Sequence, residues 1–114
     1  MEMGLDSIYF NQIREGKKIY EVRIFDEKRK KIRLLDKIIF RNKGDPRLTF
    51  EARFIELSYF PDFREAIEEV GIKKVLPSTQ SLEKGVRIYN SFNDGGYEKD
   101  AKKYGVLRMR FQLL

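Results

Sequence analysis

The sequence contains no cysteine and no histidine. Without cysteine, the chain can form no disulfide bond and offers no thiolate for catalysis or metal binding. Without histidine, it can build no imidazole base, no histidine-ligated zinc site and no Ser-His-Asp triad. Any general base in this protein must therefore be an Asp, Glu, Lys or Tyr side chain.

Long apolar runs and common ligand-binding motifs are also missing. No stretch approaches the roughly 18 apolar residues that span a bilayer, and the N-terminal MEMGLDSIYF carries acidic residues where a signal peptide would be basic. There is no Gly-rich phosphate loop, no GxSxG motif and no calcium-loop spacing. We therefore expect a cytoplasmic protein that binds no membrane, no metal and no cofactor. The many Lys and Glu residues, without Cys or Trp, also suit a thermophile.

Positive charge is concentrated in one segment. The formal net charge is +6, and residues 17–47, the basic segment, hold twelve Lys or Arg against five Asp or Glu. That segment carries +7, so the rest of the chain carries −1. Such an uneven distribution favours a polyanion partner, RNA or a nucleotide. The alternative is a lysine-rich surface without a specific partner, and a protein partner is left open.

The length of 114 residues fits a single domain, 1–114. Hydrophobic periodicity and turn signals predict the order α-β-β-β-α-α-β, hence an α+β fold with a small sheet curled into a partial barrel. The predicted elements are helix 6–15, strands 19–25, 36–41 and 48–57, helices 62–70 and 82–92, and strand 104–114. A bulge is expected near 54–55, and 93–103 is predicted to be the most mobile loop.

The stretch GKKIYEVR, 16–23, concentrates candidate ligand-binding side chains. Within a strand, Glu21 and Arg23 lie on one face, and Lys18 stands just before it. Arg presents a planar fork to phosphates and base edges, Glu accepts hydrogen bonds from base amino groups, and Lys is a point charge for phosphate. The three could therefore bind a nucleotide. The alternative is an exposed ion pair of little energetic value.

Other residues could extend such a surface. The basic run that begins at Lys28 and Arg29, and the pair Arg108 and Arg110 on the last strand, could contact phosphates, or could simply face water. Aromatic rings could stack on bases, and most must still be core. The rings in segments where exposure is expected are Tyr59, Tyr97 and Tyr104.

The stretch 16–23 resembles the G-x-K-x-x-E-x-R motif of ASCH domains, a branch of the PUA-like superfamily. Gly16, Lys18, Glu21 and Arg23 fill its four positions. Later segments resemble small archaeal ASCH proteins in the same order. They are IRLLDKIIF, YFPDFREAIEEVGIKKVLP, SLEKGVRIYNSF and KYGVLRMRFQLL.

This resemblance implies a PUA-like β-barrel (pseudobarrel) with about three flanking helices and a cleft lined by the motif residues. It also implies RNA or nucleotide binding at Gly16, Lys18, Glu21 and Arg23. One departure concerns a turn. Leu35 stands where many members have Gly before Asp36, so we expect this turn to differ in shape, because Gly commonly serves a positive φ.

A second departure concerns catalysis. Some ASCH-like proteins are amidohydrolases of N4-acetylcytidine that use a lysine, a threonine and a glutamate, and others are reported as ribonucleases. Lys18 matches the lysine, but the threonine position holds Glu21. If the protein were such a hydrolase, Lys18 and Glu21 would be its catalytic residues, with Glu21 as base. The third position has no clear counterpart; its candidates are Glu65, Glu69 and Glu83.

Overall fold

One five-stranded mixed sheet, curled into a half-barrel, organises the chain in a computed structural model that describes residues 1–114. The strands are β1 (Glu2–Leu5), β2 (Tyr20–Ile24), β3 (Lys37–Asn42), β4 (Thr49–Phe60) and β5 (Val106–Leu113). The helices are α1 (Ser7–Arg14), α2 (Phe63–Glu68), α3 (Ile72–Val75), α4 (Leu82–Ser91) and α5 (Gly96–Tyr104), and Arg29–Lys31 form a 3-10 turn. The fold is α+β, as predicted. None of these helices has the length and apolar character that crossing a membrane requires.

The strand order β1-β3-β4-β5-β2 leaves β1 and β2 as the two edges of the sheet. β1 runs parallel to β3, and the other neighbours are antiparallel. The predicted hairpin of β3 and β4 is confirmed, and a register shift between Phe54 and Glu56 confirms the predicted bulge. A bulge bends its strand and increases its twist. The sheet therefore curls, and a gap is left between its two edges.

Two hydrophobic clusters lie on the two sides of this sheet. The first packs α1 against the inner face, with Phe10, Phe40 and Phe54 fully buried. The second packs α2 to α5 against β2 and the start of β5, around Phe63 and Tyr89. Each cluster buries 11 residues. Because the second cluster covers Tyr20, Val22 and Ile24, one face of β2 is apolar and buried, and its polar side chains Glu21 and Arg23 lie on the other.

Three elements differ from the sequence prediction. The prediction missed the short strand β1, which is held by parallel pairing with β3 and by burial of Met3 and Leu5. It also missed α3, and five helices are present where about three were expected. The prediction of a mobile loop at 93–103 was wrong, because most of this segment forms α5. This polar helix is held by packing, with Ala101 buried and the Tyr97 ring stacked on Phe63.

Leu35 has a φ of 71°, the left-handed conformation that glycine usually serves. Hydrogen bonds fix this turn: the Leu35 N–H donates to the Phe54 carbonyl at 2.8 Å, and the Asp36 N–H donates to the Arg33 carbonyl at 3.1 Å. The turn therefore keeps the backbone shape that glycine would give it, and the expected change of shape is not seen. The cost is backbone strain at Leu35. Leucine adopts a glycine-like backbone, although the residue is 62% exposed and gains little by packing.

We predict that Leu35→Asn will raise the free energy of unfolding by about 0.5–1 kcal/mol, because Asn tolerates a positive φ better than Leu. The matched control is Leu34→Asn, an equally exposed neighbour whose φ is not positive. That variant is expected to change stability by less than about 0.5 kcal/mol. Urea denaturation measures the free energy of unfolding of both variants. Equal effects at the two positions would contradict backbone strain at Leu35.

Candidate functional site

A cavity of about 540 Å³ opens where the two edge strands of the sheet approach each other. We call it the β1–β2 cavity. Its walls come from β1, β2, α1, α4 and the segment 92–100, so α5, which the sequence prediction missed, helps to complete it. The side chains that carry its chemistry are Asp6, Tyr9, Glu21, Arg23, Asp26, Arg29, Lys43, Tyr89, Phe92, Asn93, Tyr97 and Asp100.

Lys18 lies behind the cavity wall and does not line it. Gly16, with a φ of 78°, ends α1 and turns the chain, and the N–H groups of Lys17 and Lys18 both donate to the Gln12 carbonyl. This turn directs Lys18 inward, where it is only 2% exposed. Its ammonium donates to the Val75 carbonyl at 2.5 Å and to the Tyr89 hydroxyl at 3.2 Å. Gly16 itself is a turn residue away from the cavity.

Glu21 is a buried carboxylate, 5% exposed, at which several elements meet. Its Oε1 accepts hydrogen bonds from the Tyr89 hydroxyl at 2.8 Å and the Val22 N–H at 2.9 Å. The Lys18 ammonium lies 3.4 Å from the same oxygen. Oε2 has longer contacts, 3.4 Å and 3.5 Å, with the Arg23 guanidinium. Oε2 is therefore the less saturated of the two oxygens.

Arg23 bridges the gap between the edge strands. Its Nη2 donates to the Gly4 carbonyl of β1 at 3.0 Å, and its other contacts go to Glu21 beside it on β2. No backbone ladder joins β1 to β2, so this side chain spans the opening of the half-barrel. It also borders a second, smaller cavity of about 60 Å³. Arg23 thus separates two cavities in one gap.

The electrostatics keep Glu21 ionised. Burial favours the neutral acid, but the charges of Lys18 and Arg23, with the bonds from Tyr89 and Val22, outweigh it and lower the pKa of Glu21 to about 2. Burial also lowers the pKa of Lys18, an effect that the Glu21 charge opposes. Burial beside the Glu21 carboxylate raises the pKa of the Tyr89 hydroxyl well above its usual value, so it stays a donor.

Four aromatic rings line the cavity: Tyr9, Tyr89, Phe92 and Tyr97. Phe92 meets the other three edge-on, at centroid distances of 5.4 to 6.3 Å. Of the three rings expected to be exposed, Tyr97 is half-buried here, whereas Tyr59 and Tyr104 are exposed but lie outside the cavity. The sequence did not single out the other three rings: Tyr9 belongs to a helical stripe, and Tyr89 and Phe92 lie in a segment where burial in the core was expected.

The cavity also contains polar side chains that sequence reasoning did not select. Asp6 stands at the start of α1, but its side chain makes no capping bond, and it lines the cavity with Asp100. Asn93 lines it from a segment in which Asn93, Asp94 and Gly95 all have positive φ. For Asn93 and Asp100 the only signal was composition, a polar, glycine-bearing stretch between the predicted helix 82–92 and the last strand.

The predicted phosphate contacts divide into two groups. Arg29 lines the β1–β2 cavity while paired with Asp26 at 2.7 Å, and Lys28 lines the smaller cavity. Lys43, from the same basic segment, lines the larger cavity and makes no ion pair. These residues therefore lie beside the motif.

Arg108 and Arg110 are not brought to the cavity. Arg108 is 3% exposed, lies between the rings of Tyr20 and Phe60, and donates to the Ala66 carbonyl and to Glu69. Its guanidinium is thus used inside the protein, joining β5 to α2. Arg110 is exposed and lies 4.0 Å from Glu56.

The glutamates considered for a third catalytic position also lie elsewhere. Glu65 contributes its N–H to the Asp62 cap of α2, Glu69 pairs with Arg108, and Glu83 contacts Arg64 at 3.3 Å. None of them lines the β1–β2 cavity. The acidic side chains also form no cluster of three or more suited to a metal ion.

We predict that Glu21→Gln will destabilise the protein by about 3–5 kcal/mol at pH 7, because it leaves the buried Lys18 ammonium without its counter-charge. A carboxyl whose pKa is lowered on folding stabilises the protein above its unfolded pKa, here near 4.5, and this contribution disappears as pH falls towards about 2. The stability gap between wild type and Glu21→Gln should therefore shrink by roughly 3 kcal/mol across that range.

Urea denaturation at a series of pH values measures this gap. Glu68→Gln, at an exposed carboxylate without an ion pair, is the matched control and should show a small gap that does not narrow. A Glu21→Gln gap that stays constant between pH 5 and pH 2.5 would contradict an ionised, buried Glu21.

Comparison with known proteins gives a consistent result. The family model described as ASCH domain matches residues 3–114. The crystal structure of hypothetical protein PH0355 is 37% identical in sequence, with a TM-score of 0.85 over 99% of this chain and 97% of that chain. The solution NMR structure of protein PF0455 from Pyrococcus furiosus is 33% identical, with a TM-score of 0.75 over 99% of this chain and 96% of that one. No curated protein matches the chain significantly.

Proposed function

The chain belongs to the ASCH domain family, and on that premise we propose that it binds RNA, or a nucleotide within RNA, with one nucleobase in the β1–β2 cavity. The observation that carries the proposal is the composition of the cavity wall. A buried Glu21 and a half-buried Arg23 line a space of about 540 Å³ together with four aromatic rings. That volume suits a small organic ligand.

The polar wall supports binding of a base edge. Glu21 is an obligate acceptor because it stays ionised, so it suits the amino group of a base. Arg23 supplies a planar set of donors beside it, and its fixed position reduces the entropy lost on binding. The phenol rings of Tyr9 and Tyr97 line the same space and offer stacking or edge contacts.

The charges of the cavity favour a base inside and phosphates outside. Four carboxylates line it, from Asp6, Glu21, Asp26 and Asp100, against the cations of Arg23, Arg29 and Lys43. This balance does not favour a phosphate within the cavity. Exposed cations without ion pairs instead follow one another along residues 28–37, in and next to the 3-10 turn in sequence, where phosphates of a bound strand can remain hydrated. They are Lys28, Lys31, Arg33 and Lys37.

No observation favours the alternative of a hydrolase. Lys18 is saturated by acceptors inside the protein and does not line the cavity. A carboxylate with a pKa of about 2, as for Glu21, is a weak general base near neutral pH. The geometry of the site therefore supports a binding role better than a catalytic role.

We predict that labelled single-stranded RNA will bind the protein at low salt and that affinity will fall steeply as salt rises. Arg23→Lys should weaken binding about tenfold with an unchanged salt slope, because it keeps the charge but loses the fork that spans Glu21 and Gly4. Fluorescence anisotropy at two salt concentrations measures both. Absence of binding at low salt, or binding indifferent to salt, would overturn the proposal.

The phosphate surface has its own test. Lys31→Ala should weaken binding of all sequences similarly and reduce the salt slope by about one, because it removes one phosphate contact. Lys84→Ala, at an exposed lysine on α4 outside the basic segment, is the matched control and should leave the slope unchanged. If both variants behave alike, the basic segment has no special role in binding.

A further inference from the structure

The buried ammonium of Lys18 has a role that its place in the motif does not reveal. It is 2% exposed and makes close contacts with three acceptors: the Val75 carbonyl, the Tyr89 hydroxyl and Glu21 Oε1. Two of its three N–H donors make hydrogen bonds, the 3.4 Å ion pair with Glu21 lies beside them, and the ammonium does not line the cavity. A ligand in the β1–β2 cavity therefore finds no free donor on Lys18.

We infer that Lys18 and Tyr89 are positioning residues that act on the ligand through Glu21, an inference that rests on the proposed function. Together with the Val22 N–H they occupy Oε1, which leaves Oε2 as the oxygen available to a ligand donor. A carboxylate fixed at one oxygen cannot rotate freely, so the direction of its second oxygen is set before the ligand arrives.

The arrangement also couples the direction of Glu21 to the packing of the helices. Lys18 binds the carbonyl at the end of α3, and Tyr89, on α4, is stacked on Phe63 at a centroid distance of 4.8 Å. Movement of α3 or α4 away from the sheet would therefore loosen Oε1 and leave the Val22 N–H as its remaining hydrogen bond. One of the elements that fix the site, α3, contributes no residue to the cavity lining.

The charged and titratable groups that act on Glu21 come from several elements. Lys18 precedes β2, Arg23 lies on β2, and Tyr89 comes from α4. The Glu21 charge also acts on the hydroxyl of Tyr9 in α1. Tyr97 of α5 acts on Arg23. Removal of the Lys18 charge leaves Glu21 buried with Arg23 as its remaining cation, so the pKa of Glu21 must rise.

The test uses Lys18→Met, with Lys17→Met as the matched control, since Lys17 is an exposed neighbour paired with Glu15. NMR titration of the Glu21 side-chain carboxyl carbon and anisotropy with labelled RNA are measured on the same proteins. We expect Lys18→Met to raise the Glu21 pKa and to weaken RNA binding at pH 7 by about tenfold or more. Lys17→Met, inside the basic segment, should leave the Glu21 pKa unchanged and weaken RNA binding by no more than the loss of one surface charge.

Tyr89→Phe is the second variant, because it keeps the ring that stacks on Phe63 and removes the hydroxyl that donates to Oε1 and accepts from Lys18. It should raise the Glu21 pKa by less than Lys18→Met does. If Lys18→Met does not fold, the Glu21 pKa in Tyr89→Phe tests the inference in its place. An unmoved Glu21 pKa in the folded variants would overturn the inference, and weaker RNA binding with an unmoved pKa would assign Lys18 a direct contact. If the wild type binds no RNA, the proposed function fails, while the carboxyl titration still judges the positioning role.

Discussion

The ionised carboxylate of Glu21 is the interaction on which the site depends. Burial opposes its charge, and two cations and two hydrogen bonds outweigh that opposition. Breaking one partner of such a buried group costs several kcal/mol, because the remaining charge stays out of water. The elements that supply those partners are therefore held in place together. They are the segment before β2, β2 itself and helix α4, with α3 attached through Lys18.

An incomplete barrel is the second condition for this site. A closed sheet would satisfy its edge strands with backbone bonds and would leave no opening beside Glu21. Here β1 and β2 are not paired, and Arg23 spans the distance between them with its side chain. A side chain can support an opening that a backbone ladder would close. The same arginine thus stabilises the fold and presents donors to the cavity.

Much of this architecture could be predicted from local patterns. β2, the β3–β4 hairpin and the bulge follow from alternation and turn residues, and α1 and α4 follow from helical periodicity. The segment 93–103 could not be assigned in that way. Its sequence is polar and contains two glycines, and only the packing of Tyr97 and Ala101 against the helical layer makes it a helix. The sequence therefore did not indicate one wall of the cavity.

The sequence by itself determined which residues meet at the first strand after α1, since Gly16 ends the helix and alternation puts Glu21 and Arg23 on one face of β2. It also determined where positive charge accumulates. Only the tertiary structure decided which of these side chains reach a ligand. Lys18 is enclosed by a carbonyl 57 residues away and a hydroxyl 71 residues away, and Arg108 is enclosed between two rings. Burial depends on contacts between segments that are distant in the chain, and a local pattern contains no information about them.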